Sequence, residues 1–225
     1  MTEKKVSVLI PAYNEEKSIN ETICAVRSIS EVDEIVVIDD ASVDNTAKVA
    51  NHAGAVVITL PNNLGKGGAL NKGMEIVQGD IVALVDADLG MSAVDIKKLI
   101  EPILANRADM TIAKFPKARK KGGFGLVKGL ARNGIRFFTR IEVMAPLSGQ
   151  RVMNREVIAA LGGFESGYGV EVGMTIDAVR KGFRILEIEV DMTHRETGRD
   201  LYGFLHRGKQ FYHVARVLAK RLAVR

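Results

Sequence analysis

The sequence predicts an α/β fold, a mostly parallel central sheet with helices on its flanks. Three observations carry this. Four short runs rich in β-branched residues, "VSVLIPAYN", "EIVVIDDAS", "AVVITLPNN" and "IVALVDADLG", each end in Pro, Asn, Asp or Gly, the punctuation that stops a strand. Helix-like segments of about 10 to 15 residues lie between them, the alternation that builds right-handed βαβ units. A chain of 225 residues is long enough for one substantial core.

Taken in order, "EEKSINETICAVRSI" puts Ile19, Ile23 and Val26 on one helical face, "DNTAKVANHAG" is a helix closed by Gly54, and "GKGGALNKGMEIVQG" is a third. "SAVDIKKLIEPILANRA" reads as a further helix and "DMTIAKF" as a fifth strand. "PKARKKGGFGLVKGLARNGIRFFTR" starts as a Gly-rich basic loop and turns helical. "APLSGQRVMNREVIAALGGF" reads as a loop and a helix, "GVEVGMTIDAVRKGFRI" as another helix, and "RILEIEVDMTHRE" as a strand. From Leu201 the residues Phe204, Leu205, Phe211, Tyr212, Ala215, Leu218 and Leu222 recur at helical spacing with Arg207, Arg216, Lys220 and Arg221 between them, an amphipathic basic helix. Residues 1–200 are thus expected to form one domain and residues 201–225 a helix appended to it.

Composition narrows the chemistry. Cys24 is the only cysteine, which excludes an internal disulfide framework and a cysteine zinc site and fits a reducing cytoplasm. The start "MTEKKVSVLIPAYNEE" is charged and its apolar run is broken by Pro11, so it is not read as a signal peptide. No apolar stretch approaches the roughly 20 residues of a bilayer span. The net charge of +5 is unevenly spread: Lys114 to Arg140 holds nine Lys or Arg and no acid. Concentrated positive charge implies an anionic partner. Nucleic acid is set aside, because no recognition motif accompanies the charge and aromatic residues for base stacking are few.

Ligands of such sheets bind beyond the carboxyl ends of the strands. That places Tyr13, Asn14 and Glu15, then Asp39 and Asp40, then Asp86 and Asp88, along one rim. Asp86 and Asp88 flank Ala87, so in extended backbone both carboxylates point the same way. A magnesium or manganese ion completed by phosphate oxygens would reconcile them; the other reading is a solvated turn. "GKGGAL" offers a flexible turn, the Lys66 cation and helix-start amides for a diphosphate, or simply a glycine-rich helix start with a solvated lysine.

Together "IPAYNEE", "DDASVDNT", "GKGGALNKGM" and "VDADLG" resemble, in order and spacing over residues 6 to 90, the nucleotide-sugar glycosyltransferases of family 2 with the GT-A fold, a Rossmann-like α/β architecture. The resemblance implies a UDP-sugar donor. Pro11, Ala12, Tyr13 and Glu15 would surround the nucleoside, and Asp39 and Asp40 would include the carboxylate on uracil or ribose. Asp40 could instead cap the helix beginning near Asp44. Lys66 would position the nucleotide, and Asp86, Ala87 and Asp88 would be the metal-binding DxD motif, with Mn2+ or Mg2+ bridging the donor's diphosphate.

"PLSGQR", "GYGVEVGMTID" and "DMTHRETGRD" look like the glucosyl-3-phosphoglycerate synthases. This implies His194 as a third metal ligand and Ser148, Gly149 and Arg151 as acceptor contacts; the wider superfamily implies Glu171, catalytic beside Asp88, as general base for the acceptor hydroxyl in an inverting enzyme. Glu171 could also be an ordinary helix-surface acid. Gln150 departs from that group, whose members more often carry an acid there. The expected activity is transfer of a hexose, glucose foremost, from a UDP-sugar to a small anionic acceptor such as 3-phosphoglycerate. A polyprenyl phosphate is the alternative acceptor. Three partners are open to the apolar face of the C-terminal helix: its own domain, a second copy in a homodimer, or the inner face of a membrane. Rivals from other classes are a sugar-1-phosphate nucleotidyltransferase, against which "PAYNEE" replaces the usual glycine-rich start, and a non-catalytic nucleotide-sugar binding protein.

Overall fold

The computed structural model describes residues 4–116, 125–165, 169–193 and 201–223, the last with side chains from 208 onward. The elements run β1 (Val6–Ala12), α1 (Ile19–Arg27), β2 (Glu34–Asp39), α2 (Thr46–His52), β3 (Val56–Thr59), α3 (Gly65–Met74) and β4 (Ile81–Leu84). A 3-10 segment (Gly90–Ile96) then leads into α4 (Lys97–Leu104), β5 (Met110–Lys114), α5 (Leu126–Thr139), β6 (Arg151–Asn154), α6 (Arg155–Leu161), α7 (Val170–Arg180), β7 (Ile185–Glu189) and α8 (Leu201–Ala223).

Seven strands form one sheet in the order β3-β2-β1-β4-β6-β5-β7. Every observed pairing is parallel except those of β6, which runs antiparallel to both β4 and β5. Helices cover both faces, so the central strands are near-continuous apolar runs. Val8 and Ile10 of β1 pack with Ile19, Ile23 and Val26 of α1 in one layer. Leu9 points the other way and joins Leu70 of α3 and Ile176 of α7 in the second. This period-two division of one strand between two cores follows from the pleat.

Two elements differ from the sequence expectation. β6 is a strand where the sequence pattern of "SGQRVMN" predicts a loop running into helix. Its four residues are too few to display alternation, and only the slot between β4 and β5 makes them extended. β4 ends at Leu84, two residues before Asp86. The two aspartates therefore sit on the turn after the strand, and strand alternation does not aim them.

That turn is held from outside itself. Thr22 of α1, fully buried, donates its hydroxyl to the Ala87 carbonyl at 2.9 Å and accepts the Gly90 amide at 2.9 Å. Gly90 has φ +55°, the left-handed region that a glycine enters at no steric cost. One buried threonine thus fixes both ends of the segment carrying Asp88.

α8 lies against α5 and α7. Val214, Val217 and Leu218 are buried there, and Leu218 fills the space over Gly134 of α5. Arg221 pairs with Asp177 of α7 and, at 3.4 Å, with Glu165. Of the three partners open to the apolar stripe, these residues take the helix's own domain. Among the described residues, no helix is long and apolar enough to cross a membrane. Truncating Leu218 to Ala should cost about 2–4 kcal/mol, read as a lower denaturant midpoint of a single transition. A separate early transition, with the main midpoint unmoved, would mean that α8 melts on its own.

Candidate active site

A cleft of about 430 Å³ opens at the carboxyl ends of β1 and β4. Pro11, Tyr13 and Glu15 form one wall; Lys66, Asp86, Ala87 and Asp88 lie along its floor; Leu147, Gly149, Glu171 and Gln210 close the far side. Nine of these eleven residues were expected from the sequence. They arrive from the end of β1, three separate loops and the helices α3, α7 and α8, which the strand order brings to one rim.

At its centre Lys66 stands between two carboxylates. Its Nζ lies 2.6 Å from Asp86 Oδ1 and 3.3 Å from Glu171 Oε1. Burial disfavours the ammonium, but the charges of Asp86 and Glu171 outweigh it and hold the lysine pKa above its ordinary value. The second oxygen of Asp86 accepts from Gln150 Nε2 at 2.6 Å. Gly149 lies so close that a Cβ there would stand 2.3 Å from the Lys66 ammonium and 2.8 Å from Asp86, so only glycine leaves this ion pair in place. Gln150 is nearly inaccessible; a carboxylate in its position would face Asp86 charge to charge.

The start of α3 is built by Asp40. Its two oxygens accept the amides of Leu64 at 2.7 Å and Gly65 at 2.8 Å, satisfying helix-start donors that would otherwise be orphaned. Asp40 is buried and off the cleft wall, and the helix it caps is α3, not the one near Asp44. Asp39 is likewise buried and accepts the Ser42 amide at 3.3 Å. Ala12 is buried beneath Pro11 and Tyr13. Glu15 is tied locally, its carboxylate accepting from the Ser18 hydroxyl at 2.7 Å.

On the acceptor side, Gly149 lines the cleft while Ser148 sits behind it. Arg151 departs furthest from expectation. Its side chain is fully buried, with the guanidinium turned to Ser148 and Thr175, and it does not reach the cleft as a fork for phosphate. Its place as first residue of the internal strand β6 is the reason. His194 and the basic residues 117–124 lie outside the described residues. Sequence reasoning missed Gln210, because a polar residue on a basic amphipathic helix carries no linear signal of facing the cleft. It missed Thr22 because a threonine among the apolar residues of α1 carries no linear sign of the distant turn it clasps.

The lining tests the metal expectation directly. Glu15, Asp86, Asp88 and Glu171 are acidic, and Lys66 is the one cation among the described lining residues. A diphosphate would enter a surplus of negative charge, and hard carboxylate oxygens are the ligands Mg2+ or Mn2+ prefers. No group of three metal-ligating side chains occurs among the described residues, so carboxylates alone would leave coordination positions to phosphate and to residues such as His194.

A family model described as glycosyl transferase family 2 matches residues 7–162. The chain belongs to that family. It is 31% identical over 194 residues to the glucosyl-3-phosphoglycerate synthase of Mycolicibacterium smegmatis, covering 77% of this chain and 64% of that protein. It is 29% identical over 202 residues to the uncharacterized protein MJ1222 of Methanocaldococcus jannaschii, covering 85% of this chain and 83% of the other. The chain thus spans less than two thirds of the synthase's length. Among solved structures, the glucosyl-3-phosphoglycerate synthase of Mycobacterium tuberculosis in complex with Mn2+, UDP and phosphoglyceric acid superposes with a TM-score of 0.82 at 28% identity. That match covers 97% of this chain and 78% of the other, and the expected GT-A architecture is met.

Replacing Asp40 with Ala should destabilise the protein by about 1–3 kcal/mol, the cost of leaving buried amides unpaired. It should also loosen the start of α3, because Lys66 follows the amides that Asp40 holds. Denaturant titration and amide hydrogen exchange over residues 64–68 read the two effects. Unchanged exchange there would detach the cap from the site.

Proposed function

We propose that the protein is a metal-dependent glycosyltransferase that moves glucose from UDP-glucose to a small anionic acceptor, 3-phosphoglycerate foremost. The observation that carries this is the convergence of Lys66, Asp86 and Glu171 in a cleft walled by the "PAYNEE" and "VDADLG" loops. The similarity to a synthase solved with Mn2+, UDP-glucose and phosphoglyceric acid supports the choice of donor and acceptor.

In this reading Pro11, Tyr13 and Glu15 hold the nucleoside, with Tyr13 exposed on the rim where a base would lie. When bound, Mn2+ or Mg2+ held by Asp86, Asp88 and His194 would neutralise charge on the departing diphosphate. Lys66, pinned by Asp86 and Glu171, contributes fixed positive charge that needs no reorganisation as the sugar–phosphate bond breaks. Glu171, in the first turn of α7 and only 8% exposed, accepts a hydrogen bond from the acceptor hydroxyl and orients it toward the anomeric carbon. Gln210 and Gly149 border the space that the acceptor would occupy.

UDP-glucose with Mn2+ should raise the melting temperature, and chelator should abolish the shift. Asp88→Ala should keep the fold and lose at least about 10²-fold in turnover, the scale of removing one electrostatic stabiliser. Full activity in that variant, measured as UDP release with 3-phosphoglycerate, would refute the mechanism. Pyrophosphate release from nucleoside triphosphate and sugar phosphate would favour the nucleotidyltransferase reading instead.

A further inference from the structure

Arg151 is the largest fully buried side chain among the described residues, it carries a charge, and its hydrogen bonds are incomplete. Nε donates to the Ser148 carbonyl at 2.9 Å and Nη1 to Thr175 Oγ1 at 2.8 Å. Nη2 is buried with no hydrogen-bond partner among the described residues. Burial pushes the guanidinium pKa down to about 10, against the pull of Glu171 and Glu187. A buried cation with an unpaired donor is costly, and apolar residues of similar volume would often serve stability as well or better.

The bonds show what it joins. Ser148 closes the turn that starts at Ala145, its amide donating to the Ala145 carbonyl at 3.1 Å, and leads into Gly149, against the Lys66–Asp86 pair, and Gln150, which donates to Asp86. Thr175, fully buried, passes its own hydroxyl hydrogen to the Glu171 carbonyl at 2.8 Å. A continuous chain therefore runs from the Ser148 carbonyl through Arg151 and Thr175 to the backbone of Glu171. Both ends of that chain reach the same cleft, one through Gly149 and the other through the Glu171 carboxylate. A planar guanidinium with donors in a fixed fork holds two such acceptors at a set separation, which a lysine cannot do.

We infer that Arg151 is a positioning residue. Through Thr175 it locks the 148–150 segment and the first turn of α7 at one spacing, and so sets the width of the acceptor side of the cleft. The nucleoside wall, built from other loops, is outside its reach. The kinetic form of this inference rests on the transferase reading above.

Thr175→Val is the deciding variant, because it is nearly isosteric and removes only the hydroxyl. kcat/KM for the acceptor should fall about tenfold, within the roughly 10²-fold that a 1 Å misplacement can cost, while affinity for UDP with Mn2+, which the 148–150 segment reaches only through the Lys66–Asp86 pair, falls by much less. Thr175→Ser, which keeps the hydroxyl, should restore kcat/KM to within about twofold. Arg151→Lys should lose as much as Thr175→Val, and the double variant little more, because the two residues act in series. Wild-type kinetics in Thr175→Val, an equal loss of donor affinity, or a Ser variant as poor as Val would each overturn the inference. If Arg151→Lys does not fold, the Val and Ser pair decides alone. If the wild type turns over no acceptor, the transferase reading fails, and amide hydrogen exchange then decides. Thr175→Val must exchange faster than wild type in both 148–151 and 170–175, with Thr175→Ser like wild type; unchanged exchange overturns the inference.

Discussion

One ammonium between two carboxylates is the interaction on which the site depends. Lys66 comes from the start of α3, Asp86 from the turn after β4, and Glu171 from the first turn of α7. Each carboxylate alone would be an unbalanced buried or half-buried charge, and the lysine alone a desolvated cation. Shared, they fix three elements relative to one another. The arrangement leaves the cleft acidic overall, which is why a diphosphate ligand asks for a divalent cation as well as Lys66.

Supports of this centre come from residues that never touch the cleft. Asp40 caps α3 and thereby aims Lys66. Thr22 clasps the turn of Asp86 and Asp88 from α1. Arg151 and Thr175 brace the opposite side. Buried polar groups in such sets are fully effective only when each finds its partners. Thr22, Arg151 and Thr175 act from regular elements and Asp40 from the residue directly after β2, positions more rigid than the loops they steady.

α8 illustrates how tertiary packing chooses among uses of one pattern. Its alternating apolar and basic residues suit a membrane surface, a partner or the helix's own domain equally well in sequence. Gly134 and Gly169 leave room for Leu218 and Val217, and Asp177 and Glu165 receive Arg221. These steric and ionic fits dock the helix on the domain and bring Gln210 to the cleft.

The sequence by itself determined the alternation of strands and helices, the rim at the carboxyl ends of β1, β2 and β4, and the cleft residues Pro11, Tyr13, Glu15, Lys66, Asp86 and Asp88. These are local: periodicity, turn residues and short motifs need no distant partner to be read. Only tertiary structure decided that β6 is a strand, since its four residues become extended by pairing with β4 and β5. Only tertiary structure separated Asp40 and Arg151 from the ligand-facing set. Their charge is equally visible in sequence whether it meets a ligand or a buried backbone group. Burial is a property of what packs around a residue, and for Arg151 that means Ser148 on one side and a helix 24 positions onward on the other.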